Sequence, residues 1–308
     1  MPFAAGRGSR CASMEGGLEV STVIQLLVNS LTLGAIYALV ALGLVLIFKA
    51  SHLINFGQGS WVMAGAYIAL TLLLAGLPMW AVLILSPIAG GVLGYLLDIL
   101  VFRRLSKASA WIFVVATLGV GGLLHQIASA IFEENVYAFP PMLSTEPQQV
   151  FGIFFTAQNL WVPGAALAVF GALYLFFEYT RVGKAMQAVA QNRIGAQIVG
   201  INLQAILALT WALSAGVSTV AAMLVAPQVG ISPAMGLLVI KGFVAAAVGG
   251  FESLGGALVG GLLVAVVESL TNTFVSTAFK DVVVFGLLLA VMWVRPTGLF
   301  GHAATRRV

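Results

Sequence analysis

Five long runs contain no Asp, Glu, Lys or Arg: residues 20–48, 50–97, 108–132, 147–177 and 194–240. A helix needs about 20 apolar residues to cross the hydrocarbon of a bilayer. The longer runs therefore hold two crossings, or one crossing and an apolar loop. They are continuous and lack the period-two alternation of a membrane barrel, so the crossings are helices. Only 8% of the residues are charged and 61% are hydrophobic. A soluble domain carries about a quarter charged residues and has too little interior to hide so much apolar surface. The fold class that follows is an all-α polytopic membrane protein of about eight transmembrane helices.

Spans are expected near 20–48, 54–76, 79–101, 110–132, 159–179, 203–226, 256–278 and 281–298. The apolar stretch 237–251 is too short to cross alone and reads as a half-span, tolerated where protein covers it. The domain plan is a polar tail over 1–19, one transmembrane domain over 20–302 and a basic tail over 303–308. Residues 1–19 lack the apolar core of a cleaved signal. Against a plain disordered tail stands an initiator at Met14, which would remove Arg7, Arg10 and Cys11. Cys11 is the single cysteine, so there is no internal disulfide framework. The net charge of +4 suits membrane topology better than nucleic-acid binding.

Orientation follows from Lys and Arg. Arg103, Arg104 and Lys107 share one loop; Arg181, Lys184 and Arg193 share another. The loop between, about 133–158, has neither residue type but carries Glu133, Glu134 and Glu146. The basic loops are expected in the cytoplasm and the acidic one outside. Arg295, Arg306 and Arg307 place the C-terminus inside, provided 237–251 acts as a partial crossing. The N-terminus is then outside if 20–48 is one span. At about 43 Å of helical rise that run is long, and a break near Gly34 is the alternative.

Glycine is abundant, with 35 residues, and the spaced pairs Gly90/Gly94 and Gly256/Gly260 lie in apolar runs. Such pairs let helix backbones approach closely, either for sliding or for static packing. Chemistry is sparse. No phosphate-binding GxxxxGK[ST] loop is present. His52, His125 and His302 are far apart and belong to no ligand-spaced motif. No nucleophile elbow occurs, and intramembrane acids are too few for an obvious proton relay. Energy supplied by a partner is the economical reading.

The stretch Arg181 to Asn202, RVGKAMQAVAQNRIGAQIVGIN, is too polar to span yet patterned. Met186, Val189 and Ala190 share one helical face, and Ile194, Ile198 and Ile201 make a second stripe. Gly195 is expected to separate two short helices and Gly200 to stop the second. Two readings stand: a rigid knob gripped by a partner's groove, or an interfacial helix with Arg181 and Lys184 on lipid headgroups.

This stretch resembles the coupling segment of branched-chain amino-acid ABC transporter permeases of the LivH type. NSLTLGAIYALVALGLVLIF (29–48), Asn55-Phe56 and Met63 to Tyr67 resemble that family's first block. KGFVAAAVGGFESLGGALVGGLLVAVVES (241–269) and RPTGLFG (295–301) resemble its glycine-rich block and closing motif. The resemblance implies a bacterial inner-membrane machine, with this chain paired to a LivM-type permease. Two cytoplasmic ABC ATPases would hold the ATP and Mg, leaving this chain without a cofactor, and an extracytoplasmic binding protein would deliver the substrate. It makes 181–202 a cytoplasmic coupling helix with Gly183, Lys184, Ala188, Asn192, Arg193 and Gly200 as coupling candidates. Departures occur. Ile194-Gly195 stand where the family often has an acidic residue and alanine, and Gln58 and Ser60 where it often has His and Glu. Arg104 replaces the usual proline, and Glu252 and Gly255 the usual Gly and Pro. These bear on the substrate and on coupling geometry.

Several polar residues fall within or beside the spans. Glu268 sits mid-helix, where a charge costs about 2.5–3.5 kcal/mol on insertion scales. It is either a gate or path residue, or a structural partner for a neighbouring helix. Asn29, Thr32, Asn55 and Gln58 are candidates for the translocation path, with capping or interhelical bonding as the other reading. Lys241 is expected to snorkel to headgroups, Asp98 to neutralise Arg103 or Arg104, and His125-Gln126 to make a helix–helix contact. A stand-alone secondary transporter or channel for small polar solutes would instead need paired broken helices, and only 237–251 qualifies. A membrane-embedded enzyme would need clustered ionisable groups at one depth, and no such cluster is evident.

Overall fold

Lipid offers the backbone no hydrogen-bond partners, so an apolar run must satisfy its own amides, and here it does so as helix. The computed structural model describes residues 8–105, 109–143, 146–150 and 153–301. The first helices are α1 Gly8–Ser51, α2 Gln58–Leu74, α3 Met79–Leu97 and α4 Ala110–Phe132. They are followed by α5 Ala157–Tyr179, α6 Arg181–Gln191, α7 Arg193–Ile198 and α8 Leu203–Val229. The last three are α9 Leu238–Gly249, α10 Leu254–Phe274 and α11 Lys280–Val294. Among the described residues seven helical stretches are long and apolar enough to cross a bilayer, and α2, of 17 residues, is a shorter eighth. The eight expected spans are thus all present as helices. Residues 1–7, at the head of the stretch that a Met14 start would remove, lie outside the described residues. So do Lys107 and 302–308, with His302, Arg306, Arg307 and the basic tail.

Three local expectations change. First, α1 does not break at Gly34. That glycine admits α10: a methyl group there would stand 2.9 Å from Leu262 Cα. The helix also begins at Gly8, inside the stretch read as a polar tail. Second, α2 starts at Gln58 rather than near 54, because buried Asn55 and Gly57 turn the chain just ahead of it. Asn55 is 1% exposed and its Oδ1 accepts from Gly57 N at 3.0 Å. Third, the acidic loop holds a small antiparallel hairpin, β1 Gln148–Val150 with β2 Ile153–Phe155. Phe154 N donates to Gln25 Oε1 of α1 at 2.9 Å. Three-residue strands leave too short a pattern to separate from loop.

Glycine sets the closest packing. A methyl at Gly94 would meet Trp211 O of α8 at 2.6 Å, and Gly90 lies against Thr219 one turn along. Gly256 and Gly260 face Gly249 and Ala245 of α9. Both glycine pairs are therefore used for close contact, α3 on α8 and α10 on α9. α1 occupies the centre, touching α5, α8, α9 and α10.

The chain Pro233–Gly249 crosses from one end of the bundle to the other. Ile231, just before it, pairs with Tyr137 in the hairpin-bearing loop, through N–O distances of 2.9 and 2.8 Å. At its far end Val248 O and Gly249 O accept from Leu299 N and Phe300 N at 2.9 and 3.0 Å. Phe251 packs on Phe48 near the end of α1, ring centroids 5.2 Å apart. A helix leaves its last carbonyls unpaired. The closing segment Arg295–Gly301, turned by Gly298 at φ 82°, supplies two of the missing donors to α9.

Candidate functional site

The segment 181–202 is built on three side-chain caps. Thr180 Oγ1 accepts from Gly183 N at 2.9 Å, Asn192 Oδ1 from Gly195 N at 2.9 Å, and Asn202 Oδ1 from Ala205 N at 3.1 Å. Such caps satisfy first-turn amides and fix where each helix begins. The break between α6 and α7 is therefore at Asn192, not at Gly195. Asn192 is extended (φ −155°, ψ 102°) and Gly195 lies inside α7. Gly200, at φ 86°, reverses the chain into α8.

α6 lays Met186 and Val189 into the same core as Leu46 and Phe177. Its apolar face thus rests on protein rather than on lipid. Buried Gly183 lets it sit directly against the Phe176–Phe177 backbone. Lys184 pairs with Glu178 at 2.9 Å on the exposed side, and the Ala188 carbonyl accepts from Asn192 N at 3.0 Å. Arg193 Nη2 donates to Ala50 O at 2.8 Å, tying α7 to the last turn of α1. Burial lowers its pKa from the ordinary arginine value. On the free side Ile194, Ile198 and Val199 are 72, 80 and 74% exposed. The segment is a pinned knob with an apolar tip.

A second polar group lies inside the bundle. Gln58 is fully buried; its Nε2 donates to Ser218 Oγ at 2.6 Å and to Ser214 Oγ at 3.3 Å, and its Oε1 accepts from Asn55 Nδ2 at 2.9 Å. Ser214 Oγ in turn donates to Gly43 O at 2.8 Å. Gly43 has no side chain because Gln58 occupies that space. Of the proposed path residues, Asn55 and Gln58 therefore meet in one network between α1, α2 and α8. Thr32 is elsewhere, bonding Val28 O at 3.2 Å and Asn159 O at 3.3 Å. Asn29 faces outward.

Glu268 belongs to a third group. Its Oε2 accepts from Tyr37 Oη at 2.9 Å, and its Oε1 lies 3.4 Å from Lys241 Nζ and 4.0 Å from Lys280 Nζ. Lys241 also pairs with Asp281. Lys241 does not snorkel: its side chain is only 13% exposed and is held by two carboxylates. These groups line a cavity of about 490 Å³ between α9, α10 and α11. Asp98 pairs with Arg103 at 3.7 Å, as expected. Tyr37, Ser214, Ser218, Lys280 and Asp281 join these groups as further partners. The signal for Lys280-Asp281 was present, since two opposite charges open an otherwise apolar span.

Residues 26–292 match the family described as branched-chain amino acid transport system / permease component. The "High-affinity branched-chain amino acid transport system permease protein BraD" of Pseudomonas aeruginosa is 32% identical over 305 residues, covering 94% of this chain and 99% of that protein. The "Probable branched-chain amino acid transport permease protein LivH" of Methanocaldococcus jannaschii is 32% identical over 285 residues, covering 85% and 88%. LivH of Escherichia coli K12 is 28% identical over 300 residues, covering 92% and 97%. These relatives are transport permease subunits and not enzymes. A polytopic helical bundle matched along nearly its whole length by them belongs to the branched-chain amino acid transport permease family.

Proposed function

We propose that this chain is one of two membrane subunits of an ATP-driven importer of branched-chain amino acids in a bacterial inner membrane. ATP and Mg are held by two separate cytoplasmic ATPases, a LivM-type permease completes the path, and an extracytoplasmic binding protein delivers the substrate. The names of the relatives support the substrate class. The knob supports the drive. α6 and α7 present an exposed apolar tip on a base pinned to α1, the form that a partner's groove can grip. Nucleotide-driven closure of the ATPases moves the knob, and the permease pair opens alternately to the two sides. In this reading α6, α7 and the segment Arg295–Gly301, which share one end of the bundle, face the cytoplasm, and the hairpin faces outward. Asn29, Thr32, Asn55, Gln58 and Glu268 remain candidates for the path, all but Asn29 being buried within the bundle.

The test is deletion of residues 184–200. Membrane insertion is expected to survive and co-purification of the ATPases to be lost. ATPases that still co-purify would refute the coupling role. Uptake into liposomes by this chain without ATPases would favour the stand-alone transporter instead.

A further inference from the structure

We infer that the cavity between α9, α10 and α11 is a docking site for the substrate as a free zwitterion, an amino acid carrying both its charges and an apolar side chain. This rests on the importer reading above and names the groups that hold the cargo. The cavity, at about 490 Å³, falls in the range of about 300–1,000 Å³ typical of small-molecule sites. Its charged wall is balanced: Lys241 and Lys280 against Glu268 and Asp281. Its other wall is apolar, from Leu237, Ile240 and Phe285. The four charges offset one another, so a singly charged solute would add an uncompensated charge beside the buried Lys241–Glu268 pair, and a neutral one would replace neither partner. A zwitterion matches both signs at once, and its side chain takes the apolar wall.

The pairings inside the cavity are unequal. Glu268 is held on one side by Tyr37 and is 9% exposed, whereas Asp281 is 57% exposed. Asp281 is thus the displaceable partner of Lys241. The substrate carboxylate takes its place on Lys241, and the released Asp281, with Glu268, accepts the ammonium group. Before and after, Lys241 faces two carboxylates, so no buried charge is stranded. The cavity also lies toward the hairpin end, since Ser232 on its rim follows the Ile231–Tyr137 bridge. In the proposed orientation that is the side from which substrate arrives.

The test uses the complete transporter, with both permeases, both ATPases and the binding protein, in proteoliposomes. A diazirine analogue of leucine is photolysed during turnover and its adducts are mapped by mass spectrometry. Adducts are expected on 237–241 and 280–285, reduced about tenfold by excess L-leucine and unaffected by 4-methylpentanoate or 3-methylbutylamine, which each lack one charge. The double variant Lys241→Met/Glu268→Gln, which strands neither member of that buried pair, should lose them to the same extent. Normal leucine uptake with adducts only elsewhere, or adducts that either singly charged analogue displaces as well as leucine does, would overturn the site and leave the importer reading intact. Absence of ATP-dependent leucine uptake by the wild-type assembly would overturn both.

Discussion

α1 and α11 are both apolar enough to span a bilayer, yet the protein uses them in opposite ways. In the most apolar stretch of α1, 83% of the residues are buried, against 6% in the stretch that contains α11. The buried helix is the more apolar of the two, but hydropathy by itself does not assign the places, because a lipid tail and a leucine side chain are equally good neighbours for an apolar surface. Size does. The buried middle of α1 reads GAIYALVALG, with Gly34 and Ala38 where α10 comes close and Gly43 where α8 does. α11 reads VVVFGLLLAVMWV after its first two residues, large nearly throughout. In a membrane the central helix is marked by what it lacks beyond Cβ, and the peripheral one by bulk.

The largest expected effect breaks this contrast directly. Gly261 of α10 lies against the α1 backbone, where a methyl would stand 2.7 Å from Ala38 Cα, while Gly286 of α11 has nothing within 4 Å. Gly261→Leu is expected to abolish recovery of monodisperse protein in size-exclusion chromatography, and Gly286→Leu to leave it unchanged. Equal loss in both would show that small size does not distinguish the two helices. Next comes Lys241→Met, which removes the cation from between Glu268 and Asp281. Breaking a buried pair costs about 3–5 kcal/mol. The variant should melt well below wild type in nanodiscs, with much of the loss restored by adding Glu268→Gln. Gln58→Leu should cost about 1–3 kcal/mol, the penalty for leaving Asn55 and the serines of α8 underbonded in the interior; denaturant titration measures it. The smallest shift belongs to Lys184→Ala. Its exposed pairing with Glu178 is worth about 0.5 kcal/mol or less, so the melting curve should barely move, and a clear drop would mean the knob is more rigidly braced than its geometry suggests.

The same contrast explains what could be read from residues alone. Spans and the two short helices of the knob rest on local patterns, and each is present as helix within a few residues, apart from the N-terminal end of α1. Residues alone put the hinge at Gly195 and not at Asn192, because glycine signals a break by type. Asparagine does so only when its side chain finds an amide three residues on, and the sequence does not display that bond. The Lys241 cluster is not legible as a group for another reason. Its members come from positions 37, 241, 268, 280 and 281, so only the packing of four helices brings them together. Lys241 therefore looked like a cation seeking the membrane surface. Gln58 posed the same difficulty: its partners on α8 are more than 150 positions away.

The Arg193–Ala50 bond has a mechanical consequence. It joins the knob to one end of a long helix, for α1 is unbroken over its apolar stretch Thr22–Ser51, 30 residues, or about 45 Å. A tilt of only about 5° about one end of a rod that long sweeps the other through about 4 Å. Tyr37, which holds Glu268, rides on the same rod. Because Tyr37 lies midway along this stretch, in the proposed mechanism a displacement of about 4 Å at the knob end, pivoting at the other, would reach the charged cavity as about half that.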